Sequence, residues 1–245
     1  GDDGWARPQT VEQIGHAAKR NKTWLCVKTP APRRSPRSQN QSGRASALSA
    51  SSAVRGSWTS LASTIIAVVF GALASLPSVP FAPAPTPVEE MTRLRGALGG
   101  GPRLLVKRDD AIGFAFGGNK VRKMRLVAAD ALARQADTLI TCGGVQSNHA
   151  RVTAAAAARL GLRCILVANG AAPARPTANA LLARLLGAEI RYVPTREARA
   201  IEMEAAAAEE RSAGREPYVI PVGASTPLGG AAYVHALTEL LEQID

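Results

Sequence analysis

The sequence predicts an α/β fold, with parallel sheets and helices on both faces, in a two-domain chain behind a basic leader. Two observations point there. Apolar residues fill 46% of the 245 positions but aromatics only 4%. That alanine-rich balance favours helices packed on a sheet over an aromatic-rich β sandwich. Second, short apolar runs centred near residues 139, 165, 191 and 219 alternate with helical patterns. Strand and helix alternating at this pitch form right-handed βαβ units, and therefore a parallel sheet covered on both faces.

In chain order, RLLVKR (103–108) reads as a strand. Residues 119–135 read as a helix, with Val121, Met124 and Leu132 among its apolar positions. DTLITC (137–142) is a short buried strand, and 148–161 a helix that Gly161 ends. Three further pairs follow: strand 163–168 with helix 177–187, strand 189–193 with helix 196–214, and strand 217–221 with helix 229–243. Gly187 and Gly214 close the first two of those helices. Ligands of open parallel sheets bind beyond the carboxyl ends of the strands. Chemistry is therefore expected in the loops after Cys142, Ala168, Val193 and Pro221.

Residues 1–84 differ in character from residues 85–245. The net charge is +11, of which residues 1–88 hold +7, from 10 Lys/Arg against three acids. No Asp or Glu occurs over residues 13–88, and 29–57 has no apolar period and too little hydrophobicity to order itself. The apolar run 61–76 is short for a membrane span, and its small-residue end resembles a signal cleavage site. Three readings of the leader stand side by side: an organellar targeting segment, a membrane or secretory element, and non-native upstream sequence. The compartment stays open on these readings: the cytoplasm, or an organelle such as a mitochondrion or plastid if the leader is a transit peptide, with no stable membrane insertion expected. The leader's basic residues lack interleaved aromatics, so no nucleic-acid partner is expected.

The three cysteines, Cys26, Cys142 and Cys164, match no zinc or disulfide spacing, and His16, His149 and His235 lie far apart, so no metal is expected. Two phosphate motifs fail. Gly113 and Gly118 have Walker A spacing, but Asn119 precedes Lys120 and Val121 follows it. No strand is followed by a dinucleotide glycine loop.

Two stretches stand out. In FGGNKVRKM (116–124) Lys120 sits behind a Gly-Gly hinge at a helix start, where the free N–H groups repel cations. The neighbouring Arg122, Lys123 and Arg125 allow a plain reading, a solvated charged helix face. In TCGGVQSNHAR (141–151) Gln146, Ser147, Asn148 and His149 crowd a helix start directly after a strand. Ser147 or Asn148 suits an N-cap. Capping explains one polar residue, not four.

These stretches, with KRDD (107–110), LLGAEI (185–190) and YVIPVGASTPLGGAAYV (218–234), resemble the D-cysteine desulfhydrase and 1-aminocyclopropane-1-carboxylate deaminase family. Its members are fold-type II pyridoxal-phosphate enzymes, of the tryptophan synthase β fold. The resemblance covers about residues 85–245. It implies that Lys120 carries pyridoxal 5'-phosphate and moves the substrate α-proton. Ser147 resembles the serine that assists proton transfer, and Asn148 the asparagine that hydrogen-bonds the cofactor's 3′ oxygen. Gln146, Ser147, Asn148 and His149 are the expected substrate contacts, with an amino-acid carboxylate held at the helix start.

The implied reaction is α,β-elimination from D-cysteine to hydrogen sulfide, ammonia and pyruvate. His149 leans toward this branch, because the deaminase branch typically has Gln there. Deamination of 1-aminocyclopropane-1-carboxylate is the alternative, and a non-catalytic fragment is another. The complete protein is expected to be a homodimer acting on a small amino acid. The sequence departs from the family in having Ala178 where Gly is usual, before Asn179. The family's phosphate-gripping loop is expected beyond Asp245, so the chain reads as incomplete at both ends.

Overall fold

The computed structural model describes residues 71–73, 75–83 and 85–244. The expectations for residues 1–70 lie outside the described residues.

Four strands form a parallel sheet in the order β5-β4-β3-β6: β3 (Thr138–Gly144), β4 (Arg163–Asn169), β5 (Glu189–Val193) and β6 (Pro217–Ile220). Thr138 pairs with Arg163 on one side and with Pro217 on the other. From β3 the chain proceeds outward through β4 and β5, then returns to lay β6 on the opposite side of β3. The order therefore reverses between β3 and β6, and such a switch point opens a crevice at the strands' carboxyl ends.

β3 is buried on both faces, as a central parallel strand is. Leu139 joins a core with Val121, Met124 and Val127 of α2 (Asn119–Ala133) and Val152 and Ala156 of α3 (Asn148–Leu160). Ile140 points the other way, to Ala206 and Ala207 of α5 (Ala198–Ser212). The period of two along β3 thus feeds helices on both faces. α4 (Ala178–Leu185) packs beside α3, and α6 (Pro227–Ile244) against α2. The glycines expected to stop α3, α4 and α5 are all left-handed.

The structure corrects several expectations. The strand in RLLVKR shortens to β2 (Leu105–Lys107) and lies outside the parallel sheet, paired antiparallel with β1 (Val88–Glu90). Neither β1 nor α1 (Thr92–Ala97) was expected, because each is short and carries charges with no clear period. Leu132 is exposed, since the buried stripe of α2 runs through Val121, Met124, Ala128 and Ala131 and turns past it. Packing also reaches upstream of residue 85: Val79, Phe81 and Ala82 lie against the core, and Phe81 stacks on Phe114 at 4.5 Å.

Nor is the basic run of α2 a solvated face. Arg122 and Lys123 are buried. Arg122 bonds both oxygens of Asp109 at 2.8–2.9 Å and pairs with Glu239 of α6 at 2.9 Å. Lys107 of β2 also pairs with Glu239, at 2.6 Å, and donates to the Thr86 carbonyl at 2.8 Å. Two cations and two carboxylates compensate one another here, the condition under which charges tolerate burial.

Candidate active site

Lys120 is the second residue of α2. The approach to it is a run of four positive φ angles, Ala115 (49°), Phe116 (60°), Gly117 (67°) and Gly118 (96°). Gly117 cannot be replaced there: a Cβ would stand 2.5 Å from the Asp110 carbonyl oxygen. The Gly118 N–H donates to the Asp109 carbonyl at 2.7 Å. The hinge is therefore tied to the residue that Arg122 grips from within α2, and the base of Lys120 is fixed from both sides.

The amine of Lys120 reaches the switch point. A Cβ at Gly223, in the 3-10 turn Val222–Ala224 after β6, would lie 3.6 Å from Lys120 Nζ. Among the described residues no acceptor lies within hydrogen-bond reach of that amine. Burial, and then the charge of Lys123, push its pKa below the ordinary 10.5. Lys123 donates to the carbonyls of Gly223 and Ala224 at 3.1 and 3.2 Å, which holds the turn beneath Lys120. Asn119 donates to the Tyr233 hydroxyl of α6.

From the other side of the crevice come β3 and α3. Ser147 is the N-cap, its Oγ accepting from the Ala150 N–H at 3.2 Å. It packs so closely on Gly143 that a Cβ there would meet Ser147 Cβ and Oγ at 2.6 Å. His149 is buried. The Thr141 hydroxyl donates its proton to the Ile220 carbonyl at 2.8 Å, so the 2.9 Å contact between Thr141 Oγ1 and His149 Nε2 needs the imidazole to donate. That fixes the tautomer and leaves Nδ1 a bare acceptor, buried without a partner among the described residues. Burial, with the charges of Lys120 and Lys123, holds the His149 pKa down at about 3. The ring is neutral at physiological pH.

The Lys120 amine, Gly223, Ser147, Asn148 and His149 thus gather at one end of β3 and β6. Gln146 does not join them directly. It is exposed, and it binds Asn179 of α4: its Oε1 accepts from the Asn179 N–H at 2.9 Å, and its own carbonyl accepts from Nδ2 at 3.0 Å. Asn179 Nδ2 also donates to Asn148 Oδ1 at 2.9 Å. Ala178, where the sequence departs from the resembled family, has φ 46°, a left-handed conformation that Gly accepts more readily. Sequence reasoning missed Asn179, Thr141, Gly223 and Arg151. Only Arg151 had a local signal, its place one helical turn after Asn148.

The residues present fit pyridoxal phosphate. Among the described residues they supply an unpaired, partly desolvated amine, a buried acceptor lacking a partner, and a helix start. Lys120, Lys123 and Arg151 are cations with no carboxylate at ion-pair distance among the described residues. Such a site is electrostatically made for an anion.

Comparison with known proteins agrees. The family described as "Pyridoxal-phosphate dependent enzyme" matches residues 79–245. The chain belongs to that family, and its α/β architecture is that of the fold-type II pyridoxal-phosphate enzymes. A 1-aminocyclopropane-1-carboxylate deaminase of Methylobacterium sp. (strain 4-46) is 42% identical over 180 residues, 70% of this chain and 53% of that protein. A D-cysteine desulfhydrase of Klebsiella pneumoniae (strain 342) is 40% identical over 178 residues, 71% and 54%. A crystal structure of an ACC deaminase homologue superposes with TM-score 0.67 at 38% identity, over 72% of this chain and 54% of that one. The chain spans about half the length of the curated relatives it matches.

Proposed function

We propose that the protein is a pyridoxal-phosphate-dependent lyase that performs α,β-elimination on D-cysteine. One molecule each of D-cysteine and water yields pyruvate, ammonia and hydrogen sulfide. The observation that supports this most is the Lys120 amine, lifted toward its neutral form by burial and set beside Gly223 in the turn after β6, at the switch point.

Lys120 would hold the cofactor covalently, and Asn148 would meet its 3′ oxygen. The cofactor, when bound, supplies an electron sink for the carbanion left at the substrate α-carbon. The chain's own residues supply the rest. A neutral amine at Lys120 can take the α-proton, as an ammonium cannot. Ser147, anchored as the α3 N-cap, would relay a proton through its hydroxyl. The N–H groups of the first turn of α3 suit the substrate carboxylate, reinforced by the helix dipole. Neutral His149 offers an acceptor at Nδ1, so it can receive a hydrogen bond from a bound amine or thiol but does not act as an acid.

Deamination of 1-aminocyclopropane-1-carboxylate is the second reading, favoured by the 42% identity to the Methylobacterium deaminase. Purified chain with pyridoxal phosphate and D-cysteine is expected to release sulfide and pyruvate in equal amounts. Consumption of 1-aminocyclopropane-1-carboxylate without sulfide release from D-cysteine would select the second reading. Turnover of neither substrate, with no cofactor absorbance band, would overturn both.

A further inference from the structure

We infer that Arg151 is a positioning residue that sets the spacing between the Lys120 hinge and the first turn of α3. This deepens the proposed function and depends on it for the chemistry served. Arg151 is buried, at 8% exposure, yet no carboxylate pairs with it among the described residues. Its Nη2 donates to the Gly117 carbonyl at 2.9 Å, the residue whose close approach to Asp110 leaves no room for a side chain. Its Nη1 donates to Asn148 Oδ1 and to Asn179 Oδ1, both at 3.0 Å.

One rigid guanidinium therefore joins three segments: the hinge before Lys120, the start of α3 and the start of α4. A planar fork can do this because its donors are fixed relative to one another, whereas a lysine ammonium is a single point on a flexible stem. Burying a charge against neutral acceptors alone is costly for stability, and burial lowers the Arg151 pKa. A group kept on such terms is explained by geometry. Arg151 and Asn179 also both donate to Asn148 Oδ1, which fixes the amide's orientation and directs its Nδ2 away from them. Without Arg151, the Lys120 hinge and the Asn148 amide would each lose a restraint at once.

The test uses the full chain, as wild type and as Arg151→Met, Arg151→Lys and Asn179→Ala. Amide hydrogen exchange is followed in peptides covering 115–121 and 146–151, with β4 as reference, and pyridoxal phosphate affinity is titrated alongside. Arg151→Met is expected to exchange at least tenfold faster in both peptides, with β4 unchanged, and to bind cofactor at least tenfold more weakly. Arg151→Lys should recover protection in one peptide but not in both. Asn179→Ala, which keeps the Gly117 bond, should loosen 146–151 and spare 115–121; it serves if Arg151→Met fails to fold. Wild-type exchange at 115–121 in Arg151→Met overturns the inference, as does protection of both peptides in Arg151→Lys or acceleration spread evenly over β4. The exchange readout needs no cofactor, so failure of wild type to bind pyridoxal phosphate would overturn the functional reading alone.

Discussion

Arg122 grips Asp109 through Nε and Nη2, with all contacts at 2.8–2.9 Å and both side chains buried. The carbonyl of the same Asp109 holds the Gly118 N–H at the foot of α2. The ion pair and the Lys120 hinge are consequently one mechanical unit. Removing one member of a buried pair strands the other charge, at a cost of about 3–5 kcal/mol. Arg122→Met should lower stability to urea by that order, measured as a fall in midpoint. Replacing the pair with apolar residues in Arg122→Met/Asp109→Leu should recover part of the loss. A single variant as stable as wild type would show that the pair does not hold the hinge.

Acid should destabilise the chain in two steps of distinct origin. Burial raises the Glu239 pKa, but hydrogen bonds from Arg122 and Lys107 overcome it and bring the value down to about 2, from an ordinary 4.5. A depressed carboxyl stabilises the fold above pH 4.5 and loses that contribution as pH falls toward 2. For His149 the unfolded chain binds a proton below 6.5 while the folded chain refuses it until about 3. Stability therefore falls as pH drops below 6.5. Each group contributes a slope of up to about 1.4 kcal/mol per pH unit within its own window. Urea midpoints measured from pH 7 to 2 should decline, and His149→Gln should flatten the pH 5–6 part. A flat wild-type profile over pH 5–6 would contradict the neutral, buried imidazole.

Gly143 and Gly144 should behave differently when changed to alanine. At Gly143 a Cβ meets Ser147 at 2.6 Å, whereas at Gly144 nothing lies within 4 Å. Gly143→Ala must displace the N-cap of α3, a loss of about 1 kcal/mol or more. Gly144→Ala should be close to neutral in thermal unfolding. Equal melting temperatures for the two variants would mean that Ser147 can shift without cost.

The α/β repeat was legible because β3 and β4 are buried runs, β5 and β6 short apolar ones, and α3, α4 and α5 end at left-handed glycines. Periodicity records such burial directly. Burial of Arg122 and Lys123 was not legible. Their partners lie at Asp109, at Glu239 and in the turn after β6, and a local pattern of K, R and K is the same on a solvated face. Ser147, Asn148 and His149 stood out by their crowding at a helix start, whereas for Lys120 the local pattern left a solvated face equally open and only the family resemblance singled it out. Asn179 could not be found, and Arg151 showed only its place one turn after Asn148, since the importance of both lies in hydrogen bonds across three segments. The orphaned Nδ1 of His149 is likewise a tertiary fact, set by the Thr141 hydroxyl donating to Ile220 rather than to the ring.

The central claim is that Lys120 is the residue that carries the cofactor. The most direct measurement is borohydride reduction of the chain mixed with pyridoxal phosphate, followed by peptide mass mapping. Lys123 is the natural rival, three residues away and also shifted below its ordinary pKa by burial. It is committed, however, to the carbonyls of Gly223 and Ala224 and lies 5.6 Å from the Tyr233 ring centroid. The phosphopyridoxyl mass should appear on Lys120, and Lys120→Ala should abolish both the adduct and the absorbance band. An adduct on Lys123, or one that persists undiminished in Lys120→Ala, would contradict the assignment.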